Sequence, residues 1–274
     1  MNIFIIVLHF GDKLVTLDCV KSIVKAKLNF DRLIIVDNSQ NFDAGRFKGK
    51  IEVLRTKKNL GFAGGVNVGI KHALSKDADY ILLLNNDAIA KQDFLSALIK
   101  FGNQFENAGI IGPAIKFKRD GKIIYDLGGK INKLFGRTTH NETSKISNKK
   151  PRQVDYTSGC AMLVKKDVFD KIGLFDERFF LYYEDVDFCI RAKNKGYLTY
   201  VLPQVSIGHS LSKTVGKDSA VAIYNQTKSA LQFGKKHISG TFWLNRIFVI
   251  AQSFYILVKN PKAGFHALLA FKYL

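Results

Sequence analysis

The sequence has few cysteines, and their placement excludes two classes of protein. Cys19, Cys160 and Cys189 are the three cysteines among 274 residues, and no CxxC spacing occurs. Neither a zinc ribbon nor a disulfide framework is therefore expected, and a reducing cytosol is the compartment that fits best. The hydrophobic fraction of 47% and the charged fraction of 24% are ordinary for a folded protein and exclude disorder over most of the chain.

Acidic residues are also scarce. The chain has 23 Asp and Glu against 42 Lys and Arg, which gives a formal net charge of +19. This excess predicts a polyanionic partner such as nucleic acid, an acidic membrane surface or a phosphorylated substrate. Residues 116–152 hold eleven basic and three acidic residues, and residues 211–274 hold nine basic residues and one acidic residue. The rest of the chain is nearly neutral.

Long uninterrupted hydrophobic runs are absent. The run at residues 3–8 has no basic segment before it and no small-residue cleavage site after it, so it predicts a buried strand rather than a signal peptide. Residues 241–258 have about the minimum length of a membrane-spanning helix. Polar residues interrupt this stretch, namely Asn245, Arg246, Gln252 and Ser253. The stretch is too polar for a spanning helix to be assigned.

Short apolar runs alternate with helical spacing through the first 115 residues. Strands are predicted at residues 3–8, 33–36, 51–55, 80–84 and 109–115, and helices at residues 13–24, 65–74 and 92–105. This alternation predicts an α/β fold with a mostly parallel sheet and helices on both faces. Ligands of such sheets bind beyond the carboxyl ends of the strands.

The second half of the chain is less regular. Residues 116–152 predict a hairpin-like excursion followed by a mobile basic loop at residues 138–150. Further on, the patterns predict a strand at 159–164, helices at 166–172 and 185–195, and an extended segment at 201–208. From residue 219 the chain is expected to be helical to its end, with breaks near Gly240 and at Pro261.

Polar side chains follow two of the predicted strands. Asp37 follows residues 33–36 and could accept hydrogen bonds from a base or ribose, or form only an Asx turn. Asn85, Asn86 and Asp87 follow residues 80–84. Oxygen ligands there suit Mg²⁺ or Mn²⁺ bound to substrate phosphates, and the alternative is again turn chemistry.

The segment 59–69 contains four glycines and leads into a predicted helix. Glycines in that position let backbone N–H groups approach a phosphate. The spacing matches neither a P-loop nor a dinucleotide-binding motif. A tight turn whose glycines serve close packing explains the pattern equally well.

Three carboxylates fall within four residues, at Glu184, Asp185 and Asp187. A helix that starts here would stabilise them as anions, and a carboxylate in a cleft could serve as a general base. Asp187 and Arg191 are four residues apart and predict an ion pair on the helix surface. His209 is either structural or a metal ligand, in which case Asp87 is its best partner.

Five ordered segments together resemble the inverting family 2 glycosyltransferases of the GT-A type, in particular their rhamnosyltransferase-like members. The segments are Val-Asp-Asn-Ser at 36–39, the glycine-rich stretch at 59–69, Leu-Leu-Asn-Asn-Asp at 83–87, Ser-Gly-Cys-Ala-Met-Leu-Val at 158–164, and Gly-Leu-Phe-Asp-Glu at 173–177 leading to Tyr-Glu-Asp-Val-Asp at 183–187. The resemblance covers residues 1 to 212, and the last 60 or so residues carry no motif of the family.

The resemblance implies a Rossmann-like catalytic domain at 1–212 and a basic, apolar helical tail at 213–274. Within the domain, residues 1–115 would bind the nucleotide sugar and residues 153–212 would bind the acceptor. Residues 116–152 would form the basic hairpin and loop between these halves.

The resemblance also implies a role for each candidate residue. Asp185 would be the catalytic base, Glu184 would contact the acceptor, and Asp87 with His209 would bind the metal ion. The nucleotide-sugar pocket would be lined by Asp37, Asn59, Gly64, Gly65, Asn67, Asn85 and Asn86. Asn85 stands where the Asp-X-Asp motif of the family has its first acid, which leaves one carboxylate at that position.

The implied activity is transfer of a sugar, such as rhamnose or another deoxysugar, from a dTDP- or UDP-linked donor to a hydroxyl of a glycan or lipid-linked acceptor. Mg²⁺ or Mn²⁺ would assist, and a single displacement would invert the anomeric centre. A nucleotidyltransferase or an inactive sugar-nucleotide binder on the same fold is the alternative. Nucleic-acid binding is disfavoured because no zinc finger, RNP-type motif or convincing recognition helix is present.

Basic residues in the tail interleave with aromatic and aliphatic ones, which is typical of an interfacial membrane helix. The alternative is packing on the catalytic domain or on a second subunit, which would make the protein a homo-oligomer. The expected location is the cytoplasm, peripheral on the inner face of the cell membrane. The two basic segments would then face an anionic membrane surface and a lipid-phosphate acceptor rather than nucleic acid.

Overall fold

The computed structural model describes residues 1–47, 51–210 and 219–273. Four parallel strands form the first half of its sheet, in the order β3-β2-β1-β4. They are β1 (Ile3–His9), β2 (Arg32–Asp37), β3 (Glu52–Arg55) and β4 (Tyr80–Asn85). β1 is buried along its whole length, and β2 and β4 nearly so. Continuous apolar runs of this kind are typical of parallel strands covered on both faces.

Three helices connect and cover these strands: α1 (Lys13–Lys25), α2 (Gly61–Leu74) and α3 (Phe94–Gln104). Alternate residues of β1 point to opposite faces of the sheet. Ile5 and Val7 pack with residues of α1 and α3, whereas Phe4 and Ile6 pack with residues of α2. The prediction of helices on both faces is therefore confirmed.

The second half of the sheet is mixed. It is built from β5 (Ala88–Ile89), β6 (Ala108–Arg119), β7 (Lys122–Asn132), β8 (Arg137–Thr143), β9 (Arg152–Val154), β10 (Ala161–Lys165) and β11 (Leu198–His209). β10 inserts antiparallel between β4 and β6, and β11 lies parallel to β6. Within the described residues, four of the seven neighbouring pairs along the path from β3 to β5 are parallel.

The predicted excursion after residue 115 is a three-stranded meander of β6, β7 and β8. The expected mobile loop at residues 138–150 is wrong over its first part, because residues 137–143 form β8 and pair with β7. This strand is largely exposed at the edge of the sheet, so both of its faces carry polar side chains. Polar composition alone therefore did not distinguish an edge strand from a loop.

Five further helices complete the described chain: α4 (Lys166–Ile172), α5 (Glu184–Lys193), α6 (Ala220–His237), α7 (Phe242–Lys259) and α8 (Pro261–Leu269). The breaks predicted near Gly240 and at Pro261 are confirmed. The proposed domain boundary at residues 212–213 lies outside the described residues. Within the described ranges, no helix has both the length and the apolar character needed to cross a membrane.

Candidate active site

Carboxyl ends of neighbouring strands bring the first candidates together. His9 of β1 is in register with Asp37 of β2, and Leu8 is in register with Asn85 of β4. Asp37 and the Asn85–Asp87 turn therefore lie at the same edge of the sheet, as the sequence predicted.

Asp87 and His209 are direct neighbours. The short strand β5 pairs antiparallel with the end of β11, so that Ala88 is opposite His209. The Asp87 Oδ1 and His209 Nε2 atoms are 3.1 Å apart, and the Ser210 backbone N–H donates to the Asp87 carbonyl over 3.1 Å. The structure thus joins the two predicted metal ligands, which are 122 residues apart in sequence.

Cys160 completes the surroundings of His209. Burial by itself lowers the pKa of His209, but the adjacent Cys160 sulfur and the Asp87 carboxylate outweigh burial, and the pKa is raised. Burial raises the pKa of the Cys160 thiol itself. An imidazole nitrogen and a carboxylate oxygen that lie 3.1 Å apart are ligand atoms that suit a divalent cation once the imidazole is neutral.

A metal ion at this position would need ligands from outside the protein. Over the ranges that the structure describes, no group of three His, Cys, Asp or Glu side chains is arranged to hold a metal ion. Asp87 and His209 supply two ligands. Mg²⁺ and Mn²⁺ commonly take their remaining ligands from water and substrate phosphates, so a two-residue site fits this chemistry.

Asp37 is fully buried and already bound by backbone groups. Its carboxylate accepts hydrogen bonds from the N–H of Ser39 at 3.1 Å and of Phe42 at 3.0 Å. The Arg55 guanidinium lies 3.4 Å from the same carboxylate. The Ser39 contact is the Asx turn of the alternative interpretation, and contact with a base would have to be made beside all three contacts.

Asn38, for which no role was predicted, holds the loop ahead of α2. Its side-chain amide donates to Asn59 Oδ1 at 2.9 Å and to the Gly61 carbonyl at 3.0 Å. Its Oδ1 accepts from the Leu60 N–H at 2.9 Å. Asn59 is exposed, and its Oδ1 accepts hydrogen bonds from the Asn38 amide and the Gly61 N–H. The Asp-Asn-Ser turn was the sequence signal for this role.

Gly64 and Gly65 are closely packed, and Asn67 is hydrogen-bonded within the protein. A Cβ on Gly65 would lie 2.5 Å from Leu8 Cδ1, and one on Gly64 would lie 2.9 Å from Leu60 Cβ. The Asn67 amide donates to the Phe175 carbonyl and to Glu177 Oε1. Asn67 therefore has no free amide donor for a nucleotide, and it positions the 173–177 segment instead.

Asn85, the last residue of β4, and Asn86, which follows it, make different contacts. Asn86 is buried, and its amide donates to the Thr16 hydroxyl at 3.1 Å and the Phe10 carbonyl at 3.3 Å. It thereby fastens this turn to the start of α1. Asn85 is half-buried, and its backbone N–H donates to the Cys160 carbonyl at 2.9 Å.

Strained backbone precedes the acidic cluster. Tyr182 and Tyr183 both have positive φ values, 68° and 67°, in the left-handed region that non-glycine residues rarely adopt. α5 follows directly and begins at Glu184, one residue earlier than predicted. Such strain persists only where the surroundings over-determine it, so the placement of Glu184 and Asp185 is closely specified.

Asp185 is held by two backbone donors. Its Oδ2 accepts from the Gly159 N–H at 3.0 Å, and its Oδ1 accepts from the Val186 N–H at 2.8 Å. Burial raises the pKa of Asp185, although these N–H groups and His140 oppose the rise. A carboxylate with a raised pKa is a stronger base than an exposed one.

Glu184 is buried beside Asp185, and its Oε2 has no hydrogen-bond partner. Burial and the neighbouring Asp185 charge raise the pKa of Glu184 well above its usual range. Two adjacent acids with different partners can hold different protonation states. The Glu184 Oε2 has no partner, whereas each oxygen of Asp185 accepts one backbone hydrogen bond and keeps a second lone pair.

The Gly159-Cys160 dipeptide joins the two halves of the site. The Gly159 N–H binds Asp185, and the side chain of the next residue, Cys160, contacts His209. Consecutive Cα atoms are about 3.8 Å apart. The candidate base and the candidate metal ligands therefore lie on either side of one dipeptide, at the start of β10.

Asp187 forms the predicted pair with Arg191, but in the interior and not on the helix surface. Its side chain has no exposed area, and the Arg191 Nε is 2.8 Å from its Oδ2. His237 and Lys236 of α6 also reach its Oδ1. The prediction of a surface pair failed because a helix 50 residues away covers this face of α5.

Comparison with known proteins assigns the chain to a family. A family profile described as "Glycosyl transferase family 2" matches residues 4–173. The chain is 27% identical over 213 residues to dTDP-rhamnosyl transferase RfbF of Shigella flexneri, covering 77% of this chain and 69% of the relative. It is also 27% identical over 212 residues to N-acetylglucosaminyl-diphospho-decaprenol L-rhamnosyltransferase of Mycobacterium tuberculosis, covering 69% and 68%.

A solved structure supports the fold. The crystal structure of GalNAc-T7 with UDP, GalNAc and Mn²⁺ superposes with a TM-score of 0.66 at 12% sequence identity. The match covers 85% of this chain but only 47% of that one, so the present chain corresponds to about half of the larger protein. This likeness concerns the fold alone.

We expect Asp187→Asn to lower the free energy of unfolding by about 3 kcal/mol at neutral pH, because the partly buried Arg191 and Lys236 lose a buried counter-charge. Although burial raises the pKa of Asp187, its bonds to His237, Arg191 and Lys236 outweigh burial and lower it. A lowered pKa stabilises the fold above the unfolded value, about 3.9 for Asp. The benefit therefore persists from pH 5 to 8 and declines as the pH falls below about 4.

Urea unfolding at several pH values measures this difference. The matched control is Asp18→Asn, whose carboxylate is 61% exposed beside Lys21 and should change stability by less than about 1 kcal/mol. Equal effects of the two substitutions at pH 7 would contradict the described clamp.

Proposed function

Since the chain belongs to glycosyl transferase family 2 and is a glycosyltransferase with the GT-A fold, we propose that it transfers rhamnose or another deoxysugar from a dTDP- or UDP-linked donor to a hydroxyl of a glycan or lipid-linked acceptor. The names of the rhamnosyl-transferring relatives support the deoxysugar, and the decaprenol-linked name supports the lipid-linked acceptor. The single observation that carries the proposal is the meeting of Asp87, His209 and Asp185 around Gly159-Cys160.

In this proposal Asp185 is the general base. Its carboxylate takes the proton from the acceptor hydroxyl as that oxygen attacks the anomeric carbon. The attack comes from the face opposite the diphosphate, whose bond to the sugar breaks in the same step, so the anomeric configuration inverts. The Gly159 and Val186 N–H groups orient the carboxylate. A single displacement needs no second nucleophilic carboxylate.

Glu184 is proposed to bind the acceptor. Its unpartnered Oε2 can form a hydrogen bond with a sugar hydroxyl, and its raised pKa allows the carboxyl group to act as a donor as well as an acceptor.

Asp87 and His209 are proposed to hold Mg²⁺ or Mn²⁺ together with the donor diphosphate. Such a cation would neutralise the charge that develops on the departing diphosphate. Asn85, in place of the first acid of the motif, leaves one carboxylate for this task. Metal affinity should therefore depend strongly on the diphosphate, which supplies the remaining oxygen ligands.

Asp185→Asn is expected to lower turnover by about 10²–10⁴-fold, because the amide cannot accept the proton. Donor binding should stay nearly intact, since Asp185 acts on the acceptor. Steady-state kinetics with a nucleotide-sugar donor, together with donor titration, measures both. Asp170→Asn, at an exposed position of α4, is the matched control, and turnover near the wild-type value in Asp185→Asn would sink the assignment of the base.

Asp87→Ala is expected to weaken the metal-dependent part of donor binding while leaving metal-free binding unchanged. A thermal-shift panel of dTDP- and UDP-sugars with and without Mn²⁺ measures this. A ligand at 100 times its Kd stabilises a protein by about 2.7 kcal/mol, so the wild type should show a clear rise in Tm with the right donor. An equal Mn²⁺-dependent rise in Asp87→Ala would contradict its role as a ligand.

The exposed face of α7 supports a membrane-bound location. Trp243, Ile247, Phe254 and Val258 recur at helical spacing, and each is at least half exposed. The buried face of the same helix carries Asn245, Val249 and Ser253. Since its apolar side faces outward, α7 has the inverse of the usual surface pattern, which marks an interaction surface.

The charge of the C-terminal helices favours anionic lipid as the partner. Residues 219–273 contain no acidic residue, and Arg246, Lys259 and Lys262 are exposed around the apolar face. Two copies paired through this face would bring like charges together, whereas anionic lipid complements them. We therefore place the proposed enzyme on the cytoplasmic surface of the membrane, with α7 lying in the interface.

The double substitution Trp243→Ser and Phe254→Ser should weaken binding to anionic vesicles at least tenfold, because burial of each ring contributes about 1.5–3 kcal/mol. Co-sedimentation with phosphatidylglycerol vesicles measures binding, and phosphatidylcholine vesicles test the charge. Val221→Ser, at an exposed apolar site of α6, is the control. Unchanged sedimentation of the double variant, or a dimer that the double variant dissociates, would overturn this assignment.

A further inference from the structure

The pair formed by His140 and Asp126 is a second ionisable unit next to the site. The His140 Nδ1 and the Asp126 Oδ2 are 2.8 Å apart. The Asp126 side chain is 8% exposed, whereas the His140 side chain is 46% exposed. A buried carboxylate therefore fixes an imidazole that faces solvent, at a position expected to be part of a loop.

A bulge in the hairpin of β7 and β8 builds this pair. The register between the two strands shifts between Asp126 and Gly129, and Gly128 has a φ of +78°. The Gly128 N–H donates to Asp126 Oδ1 at 3.0 Å, which orients the carboxylate toward His140.

Tyr156 connects the pair to the site. A Cβ on Gly129 would lie 2.1 Å from the Tyr156 ring, so only glycine lets the ring pack here. The His140 ring meets Tyr156 edge-on, with centroids 5.5 Å apart. Three residues after Tyr156, the Gly159 N–H binds Asp185. His140 and Asp185 therefore flank one short segment.

His140 and Asp185 have neighbours of different charge. His140 is faced by Asp126 and Glu142 from its own hairpin and by Asp185 from α5. Among the described residues, the groups that interact with Asp185 besides His140 include Tyr156, Tyr183, Glu184 and Cys189. Of these five groups, His140 is the one that can carry a positive charge. Arg137 lies close by but acts on Tyr183.

The pKa values of His140 and Asp185 respond to these neighbours. The hydrogen bond from His140 to Asp126 raises the pKa of His140 and outweighs burial, so the imidazolium persists to higher pH. Burial raises the pKa of Asp185, and His140 opposes that rise. The positive charge thus favours the ionised carboxylate.

We propose that His140, held by Asp126, is a positioning residue for the reaction: in its protonated form it places a positive charge near Asp185 and favours the ionised carboxylate that can accept a proton. This inference rests on the proposed role of Asp185 as the base. The meander of β6, β7 and β8 contributes no residue to the proposed nucleotide and metal sites, and this inference gives it a function.

The test is the pH dependence of kcat/KM for the wild type, His140→Gln and His140→Lys. Loss of the charge raises the pKa of Asp185, so the acid limb of His140→Gln should move upward by about one pH unit. The plateau at high pH should stay within about twofold of the wild type, because Asp185 is ionised there in both proteins. His140→Lys restores the charge and should return the limb toward the wild-type position.

Two controls separate charge from structure. His72→Gln removes a comparable imidazole, paired with Glu52 at 2.6 Å on another part of the sheet, and should leave the profile unchanged. High salt should reduce the shift of His140→Gln, because the half-exposed charge is screened. Thermal unfolding of each variant verifies that it is folded.

The outcomes distinguish this inference from the proposed function. An unshifted acid limb in His140→Gln, or failure of His140→Lys to restore it, overturns the role of His140 while Asp185→Asn remains inactive. Activity retained by Asp185→Asn overturns the proposed base itself, and the role of His140 with it.

Discussion

The hydrogen bond from the Gly159 N–H to the Asp185 carboxylate is the contact on which the site depends. It fastens the start of α5 to the start of β10, and β10 is the strand that runs antiparallel between β4 and β6. Because β10 is reversed, its first residues, not its last, lie at the edge where the parallel strands end. The turn that carries Asp87 and the helix that carries Asp185 therefore meet at Gly159-Cys160.

The surroundings of α5 keep this contact in place. Two left-handed tyrosines set the direction of the chain into the helix, and α6 clamps Asp187 through His237 and Lys236. Tyr183 packs against Phe233 of α6 with ring centroids 5.2 Å apart. The C-terminal helices are therefore joined to the site itself, and a membrane contact through α7 would orient the same helices that support the proposed base.

Local sequence patterns predicted the strands and the polar residues at their ends. The apolar runs gave the parallel strands, and the polar residues at their ends gave Asp87 and its edge of the sheet. If His209 was a metal ligand, Asp87 was predicted from the residues as its best partner, and the family resemblance implied the same pair. The pairing of β5 with β11 brings the two residues together. What could not be predicted depends on contacts across the chain. Asn67 binds Phe175, 108 residues away, and Asp187 is buried by a helix 50 residues away. His140 lies on an edge strand whose polar residues are also typical of a loop.

The most direct test of this account is a crystal structure with a nucleotide diphosphate and Mn²⁺. The account predicts that Asp87 and His209 would hold the Mn²⁺ together with the diphosphate, and that the site of sugar attachment would face Asp185. Nucleotide bound instead in the hollow lined by Gln104, Glu106 and Tyr197, where β6 and β11 begin, would contradict it.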